Sequence, residues 1–269
     1  MKIKMIALDV DGTLFNSKGQ VLKEVEEAIA EAHKNDILIT LLSGRTRYTL
    51  EPLSHRLNIK IPYAGANGAF AAQPDKKKPL YTMPLKPEDV TEVSEKVLCN
   101  DGVGIVFHYL DKLYFDPLGF ALTKSWHGDD AAWAIKEELH ILMKKTPPPL
   151  KLELVGNEEN LSKIASELSG RNLIVSFVFG PKNLEINSEK ANKGTGLTFL
   201  SDHLHIPLEH IAACGDGMND KSMLTIAGYS FAMGNAHPEI KKIANFIAPT
   251  NDEAGTAWVI KKALELNSH

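Results

Sequence analysis

Short runs of consecutive apolar residues alternate along the chain with stretches in which apolar positions recur every three or four residues. That is the pattern of buried parallel strands joined by amphipathic helices. Ile3–Leu8 is the first run, and Leu22, Val25, Ala28, Ile29 and Ala32 then recur at helical spacing, with Glu24, Glu26, Glu27 and Glu31 on the other face. Ile37–Leu42 predicts a second strand, Arg45–Leu57 a helix and Ile61–Gly65 a third strand. Asn67-Gly68 is a strong turn signal, so a hairpin between Ile61–Gly65 and Tyr81–Leu85 is expected.

The rhythm changes from Lys86 to Asn187. The pattern there predicts a helix over Pro87–Leu98, two strands flanking Asp111-Lys112 and a helical middle that ends at Pro147-Pro148-Pro149. A strand over Leu150–Val155 and a helix over Glu158–Leu168 follow, then a hairpin of Leu173–Phe179 with Asn183–Ile186. Hairpin-rich content of this kind predicts an α+β unit. After Lys190 the first rhythm resumes, with strands at Ile211–Cys214, Tyr229–Met233 and Phe246–Ala248 between helices that start near Gly194, Asn219, Pro238 and Asp252. The expected architecture is an α/β, Rossmann-like parallel-sheet core formed by residues 1–83 and 188–269, interrupted by an inserted α+β domain over 84–187.

Composition narrows the function classes. With 269 residues, 43% hydrophobic and 24% charged, the chain has ordinary globular content and room for a sizeable core. Its net charge of −4 offers no basic stripe of the kind that dominates nucleic-acid affinity, so no nucleic-acid partner is expected. Two cysteines, Cys99 and Cys214, cannot build a disulfide framework. A cytoplasmic, soluble protein without a leader or membrane span is expected, because no apolar stretch approaches ~20 residues.

Ligands of open α/β sheets bind beyond the carboxyl ends of the strands, so polar residues that directly follow apolar runs carry the chemistry. Four such places stand out: Asp9-Val10-Asp11-Gly12-Thr13, Ser43-Gly44-Arg45, Lys193-Gly194 and Gly215-Asp216-Gly217-Met218-Asn219-Asp220. Four carboxylates converging on one cleft would repel one another strongly unless a cation joined them. Mg²⁺ suits such a set, being a hard ion that needs only one or two carboxylates together with a carbonyl, waters and phosphate oxygens. Carboxylates, a hydroxyl, free amides and a lysine around a divalent ion form a phosphoryl-transfer site.

In order, these segments resemble the four motifs of the haloacid dehalogenase (HAD) superfamily. The inserted domain, Asn67-Gly68-Ala69, Leu184-Glu185-Ile186 and Asn251-Asp252-Glu253-Ala254-Gly255 resemble more narrowly the Cof-type phosphatases with a C2 cap. Ser43 stands where threonine is commoner in that family, and its hydroxyl can serve the same role. The resemblance implies Asp9 as nucleophile, Asp11 as acid and then base, and Lys193 as the neutralising cation. It implies phosphate or substrate contacts from Val10, Ser43, Gly44, Arg45, Lys193 and Asn219. It implies metal contacts from Asp9, from Asp11 through its backbone carbonyl, and from Asp216, with Asp220 orienting that shell. The implied reaction is Mg²⁺-dependent hydrolysis of a small phosphorylated metabolite: a sugar phosphate, a nucleotide or a phosphorylated cofactor.

Plainer roles exist for single residues. An Asp after a strand usually caps a helix, as Ser43 could. Arg45 has two readings, a phosphate contact or a surface salt bridge, and Asn67 reads first as a turn former. His108, His127, His203, His205 and His210 lack metal-ligand spacing, and Trp126, Trp133 and Trp258 read as core residues. Lys112, Tyr114, Trp126 and His127 are the cap residues considered as substrate contacts. A phosphomutase or phosphotransferase of the same superfamily is an alternative, and a module that merely holds a phosphoryl group is another. Asp11 argues against the second, since a carboxylate beside an aspartyl-phosphate should hasten its hydrolysis.

Overall fold

The computed structural model describes residues 2–127, 132–178 and 180–268, the side chains of Trp126 and His127 excepted. The chain runs through β1 (Met5–Leu8), helix Lys23–Lys34, β2 (Leu38–Leu41), helix Arg47–Arg56, β3 (Tyr63–Gly65), β4 (Phe70–Ala72) and β5 (Tyr81–Thr82). Helix Pro87–Leu98, β6 (Gly104–His108), β7 (Leu113–Phe115), helix Pro117–Leu122, β8 (Ala134–Lys136), β9 (Lys151–Val155), helix Glu158–Glu167, β10 (Leu173–Phe177) and β11 (Asn183–Ser188) follow. Helix Lys193–Leu204 then leads to β12 (Ile211–Gly215), helix Lys221–Ile226, β13 (Tyr229–Ala232), helix Pro238–Ile243, β14 (Phe246–Ile247) and helix Gly255–Asn267. Two compact units result: Met1–Arg45, Thr49–Tyr81 and Asn192–His269 form one, and Thr46–Tyr48 with Thr82–Ala191 the other.

The first unit is built on a five-stranded parallel sheet in the order β14-β13-β12-β1-β2. Helices cover parallel strands on both faces, which is why Met5–Leu8 and Ile211–Gly215 are unbroken runs of buried residues. Helix Lys23–Lys34 contributes its Val25, Ala28, Ile29 and Ala32 stripe to the core and leaves its glutamates in water. From β1 the chain first builds β2 on one side, and β12 later takes the place on the other. The strand order therefore reverses between β1 and β12, whose register pairs Leu8 with Cys214. Both strands end level, so Asp9 and Asp216 emerge beside each other at the switch point.

Two local expectations are corrected. The third strand, β3, belongs to a separate sheet in the order β3-β4-β5, touching Leu42 through a single bridge at Ala64. Its hairpin partner is β4 and not Tyr81–Leu85, because Ala66, Asn67 and Gly68 all adopt positive φ and turn the chain back at once. Trp258 is also no core residue, since 36% of it remains exposed with its ring edge against Phe231.

In the second unit six strands form a mixed sheet in the order β10-β11-β9-β6-β7-β8. The expected helical middle contains β8, which pairs in parallel with β7. One sheet face packs Ile105, Phe107, Leu152, Leu154, Leu184 and Ile186 against helices Pro87–Leu98 and Glu158–Glu167. Each such side chain contributes roughly 1.5–3 kcal/mol relative to exposure. The opposite face carries a buried ionic row in which Lys151 pairs with Glu185 and His108 Nε2 lies 3.1 Å from Glu153 Oε2. Burial would raise the Glu153 carboxyl, but Lys151 and His108 bring it down to about 2.

At Gly104 the backbone of helix Pro117–Leu122 comes so close that a Cβ would stand 2.3 Å from the Gly119 nitrogen. Neither partner is a flexible side chain, so Gly104→Ala is expected to destabilise this unit by about 1–3 kcal/mol. A chemical denaturation curve unchanged from wild type would contradict that packing.

Candidate active site

The site grows from the carboxyl ends of β1, β2 and β12 and from the start of helix Lys193–Leu204, all within the first unit. Asp9 follows β1 directly, its amide donating to the Cys214 carbonyl at 3.0 Å. Val10 is fully buried and anchors the turn. Gly12 then adopts φ 79°, and a Cβ there would stand 2.4 Å from Asp216 Oδ2. Only glycine lets this loop approach the Asp216 carboxylate so closely.

Asn192 caps helix Lys193–Leu204 by accepting from the Thr195 amide, which places Lys193 at the first helical position. Its side chain is fully shielded from water. The ammonium donates to Asp9 Oδ1 at 2.5 Å and also to Asp220 Oδ1. Asp220 Oδ2 accepts from the Asp216 and Gly217 amides at 2.9 and 2.8 Å. Both Asp220 oxygens are thereby occupied, so this residue positions the loop and the lysine.

Ligand oxygens of Asp9, Asp216 and Asp220 lie within 4.8 Å of one another. Three carboxylates face one ammonium, and the surplus of negative charge is visible in the proton affinities of Asp9 and Asp216. Burial, with Asp220 and Asp216 nearby, raises the Asp9 carboxyl well above the ordinary range despite Lys193. Burial and Asp220 raise Asp216 to about 6, although Thr13 Oγ1 donates to its Oδ1 at 3.0 Å. Burial alone would lower the Lys193 ammonium, but the two carboxylates it touches raise it above the usual lysine value. A divalent cation fits this donor set, because the Asp9 and Asp216 carboxylates provide hard oxygens in a region short of positive charge.

Asp11 and Arg45 form the second element of the site. The Arg45 Nε and Nη2 each donate to Asp11 at 2.7 Å, and the guanidinium lies 4.9 Å from the Phe15 ring centre. Arg45 thus meets neither sequence reading in simple form: it is a fork on a carboxylate beside the cluster. The Asp11 side chain points to Arg45 and is no member of the metal-competent group. Ser43 is buried with its Oγ 3.2 Å from the Arg45 amide, and Gly44 lies between them.

Asn67 belongs to this neighbourhood, which its turn signal did not disclose. It sits at φ 57°, and its Oδ1 accepts from Asn219 Nδ2 at 3.1 Å. Asn235 was also missed. Its side chain donates to the Gly12 carbonyl at 2.8 Å and its Oδ1 accepts from the Asn251 amide. The available signal was its place just after β13, at the same sheet edge as Asp9 and Asp216. In the second unit, Lys112 and Tyr114 line one pocket, while the side chains of Trp126 and His127 lie outside the described residues.

Asp9 and Asp216 bind a proton more tightly folded than unfolded. The Asp216 contribution to stability is therefore complete below the ordinary aspartate value of 3.8 and is lost as pH rises through about 6. In chelator-treated protein, Asp216→Asn should gain thermal stability relative to wild type as pH is raised across that window. A difference in melting midpoint that does not vary with pH would remove Asp216 as a source of strain.

The haloacid dehalogenase-like hydrolase family matches residues 6–260. The phosphatase YwpJ of Bacillus subtilis is 30% identical, over 97% of this chain and 100% of its own length. The 5-amino-6-(5-phospho-D-ribitylamino)uracil phosphatase YcsE of the same organism is 26% identical over 96% of this chain and 95% of its own. Among solved structures, a haloacid dehalogenase-like hydrolase from Bacteroides thetaiotaomicron superposes with a TM-score of 0.83 at 30% identity, covering 97% of this chain and 99% of that one. With its parallel core and acid-rich switch point, the chain belongs to the haloacid dehalogenase-like hydrolases and is a phosphatase of their Cof type.

Proposed function

We propose that the protein is a Mg²⁺-dependent phosphomonoesterase for small phosphorylated metabolites, acting through an aspartyl-phosphate on Asp9, with residues 82–191 as its cap. The observation that carries this reading is the buried cluster in which Lys193 pairs with Asp9 and Asp220 while Asp216 lies beside them. Relatives named for a phosphorylated ribitylaminouracil support a small-metabolite substrate. Unpaired Cys99 and Cys214 are compatible with a cytoplasmic setting, and no described helix is long and apolar enough to cross a membrane.

Lys193 holds Asp9 Oδ1 and fixes the rotation of that carboxylate. Asp9 Oδ2, which has no hydrogen-bond partner among the described residues, attacks phosphorus while the bond to the leaving oxygen breaks. Asp11 donates its proton to that oxygen. In the second step Asp11 takes a proton from water as the water attacks phosphorus, and the bond to Asp9 breaks to release phosphate. Arg45 occupies both Asp11 oxygens, so either proton transfer requires that pair to open. Ser43, the Gly44 amide and Asn219 hold phosphate oxygens, and Val10 shapes the backbone beneath them. Asp9 and Asp216 side chains and the Asp11 carbonyl would hold Mg²⁺. When bound, the ion supplies charge neutralisation for the phosphoryl oxygens.

Asp9→Asn should reduce Mg²⁺-dependent phosphate release from p-nitrophenyl phosphate by roughly 10³-fold or more. Residual turnover within about tenfold of wild type would exclude Asp9 as the nucleophile. Asp11→Asn should slow breakdown of the phosphoenzyme more than its formation, so rapid quench with labelled substrate should show the intermediate accumulating. Turnover equal to wild type would exclude Asp11 as the proton shuttle.

A further inference from the structure

The second unit contains a pocket of about 490 Å³ whose lining includes Tyr109, Lys112, Tyr114, Lys145, Pro147 and Pro148. That size lies in the range of small-molecule sites. One wall is the β6–β7 turn, closed by the Tyr109 amide donating to the Lys112 carbonyl at 2.9 Å. Arg47 clamps the tip of that turn: its amide donates to the Leu110 carbonyl at 3.0 Å and its guanidinium forks onto Asp111. The facing wall runs from Lys145 to Leu150, whose amide donates to the His108 carbonyl at 2.8 Å. Both walls are thus tied to the sheet.

Two properties of the lining select a ligand. The first is aromatic: Tyr109 and Tyr114 meet edge to face with centroids 5.3 Å apart. The Tyr109 hydroxyl is shielded from solvent and has no hydrogen-bond partner among the described residues, although a buried phenol usually finds one. The second is charge. Arg47 already neutralises Asp111, whereas Lys112 and Lys145 have no carboxylate partner among the described residues. The Lys145 ammonium instead rests over the Tyr114 ring, 4.3 Å from its centre. A cation on a π-face is held less strongly than one in a charge-assisted hydrogen bond. An incoming anion would therefore draw it off the ring and expose that face for stacking.

We propose that this pocket binds a small, flat aromatic molecule bearing one negatively charged group. The ring packs against Tyr114 and the prolines, and the anion is met by Lys145 and Lys112. The assignment does not depend on the phosphatase reading, because every group it uses lies within the second unit.

The test is a titration of the full chain with naphthalene-2-sulfonate, followed by its fluorescence and by calorimetry. This probe carries no phosphoryl group, and its binding is read without turnover. Wild type should show one saturable site. Lys145→Met, which keeps the aliphatic stem and removes the charge, should weaken binding tenfold or more, and so should Tyr114→Leu. Lys23→Met, on an exposed helix face of the first unit, should bind as wild type. Methanesulfonate and 2-naphthalenemethanol, which lack the ring and the charge respectively, should each bind at least tenfold more weakly. If Tyr114→Leu fails to fold, Lys145→Met decides alone, since the half-buried Lys145 makes no ion pair among the described residues. The proposal is overturned if wild type shows no saturable site, if Lys145→Met binds as wild type, or if the neutral ring binds as well as the sulfonate.

Discussion

A lysine ammonium sealed away from water is the constraint on which the rest of the first unit depends. Lys193 retains its charge there only because Asp9 and Asp220 touch it from either side. Breaking a buried pair by removing one partner costs about 3–5 kcal/mol, a large share of the roughly 5–15 kcal/mol that holds a typical domain together. The three residues lie on three separate segments: the end of β1, the start of a helix and the loop after β12. Parallel register between β1 and β12 is therefore a requirement of the electrostatics as well as a product of apolar burial. Asp220 adds a further tie, because the oxygen facing away from Lys193 fastens the amides of Asp216 and Gly217.

The same cluster explains why this unit combines a firm scaffold with reactive groups. One ammonium cannot balance three carboxylates, and the excess appears as raised proton affinity at Asp9 and Asp216. Stability is given up locally for a site that attracts cations. The second unit contains the opposite case. There Lys151 and His108 bring the Glu153 carboxyl down to about 2, so that this buried charge is held by cationic and polar neighbours of its own sheet. The pocket lysines of that unit, Lys112 and Lys145, have no carboxylate partner among the described residues.

Much of this was legible in the order of residues. Strands β1, β2, β12 and β13 were readable because burial on both faces makes them continuous apolar runs. The polar residues after them could be located by the rule that α/β sheets bind ligands at strand ends. Short elements were harder. Phe70–Ala72 and Ala134–Lys136 have three residues each, too few for a period to show, and both owe their strand character to neighbours. Trp258 was misplaced because helical spacing cannot say how much of a large ring the neighbouring elements will cover.

Residue order by itself determined the alternating core, the interruption between its halves, and the identity of the acids, hydroxyl and lysine available for chemistry. These follow from burial periodicity and from side-chain type, which are local properties. Tertiary structure alone decided which oxygen meets which cation: Lys193 bridges Asp9 and Asp220, Arg45 takes Asp11, and Asn67 turns toward Asn219. Those pairings join residues as far apart as 9 and 193. Their energies depend on distances and on the exclusion of water, neither of which exists until the sheet has closed around them.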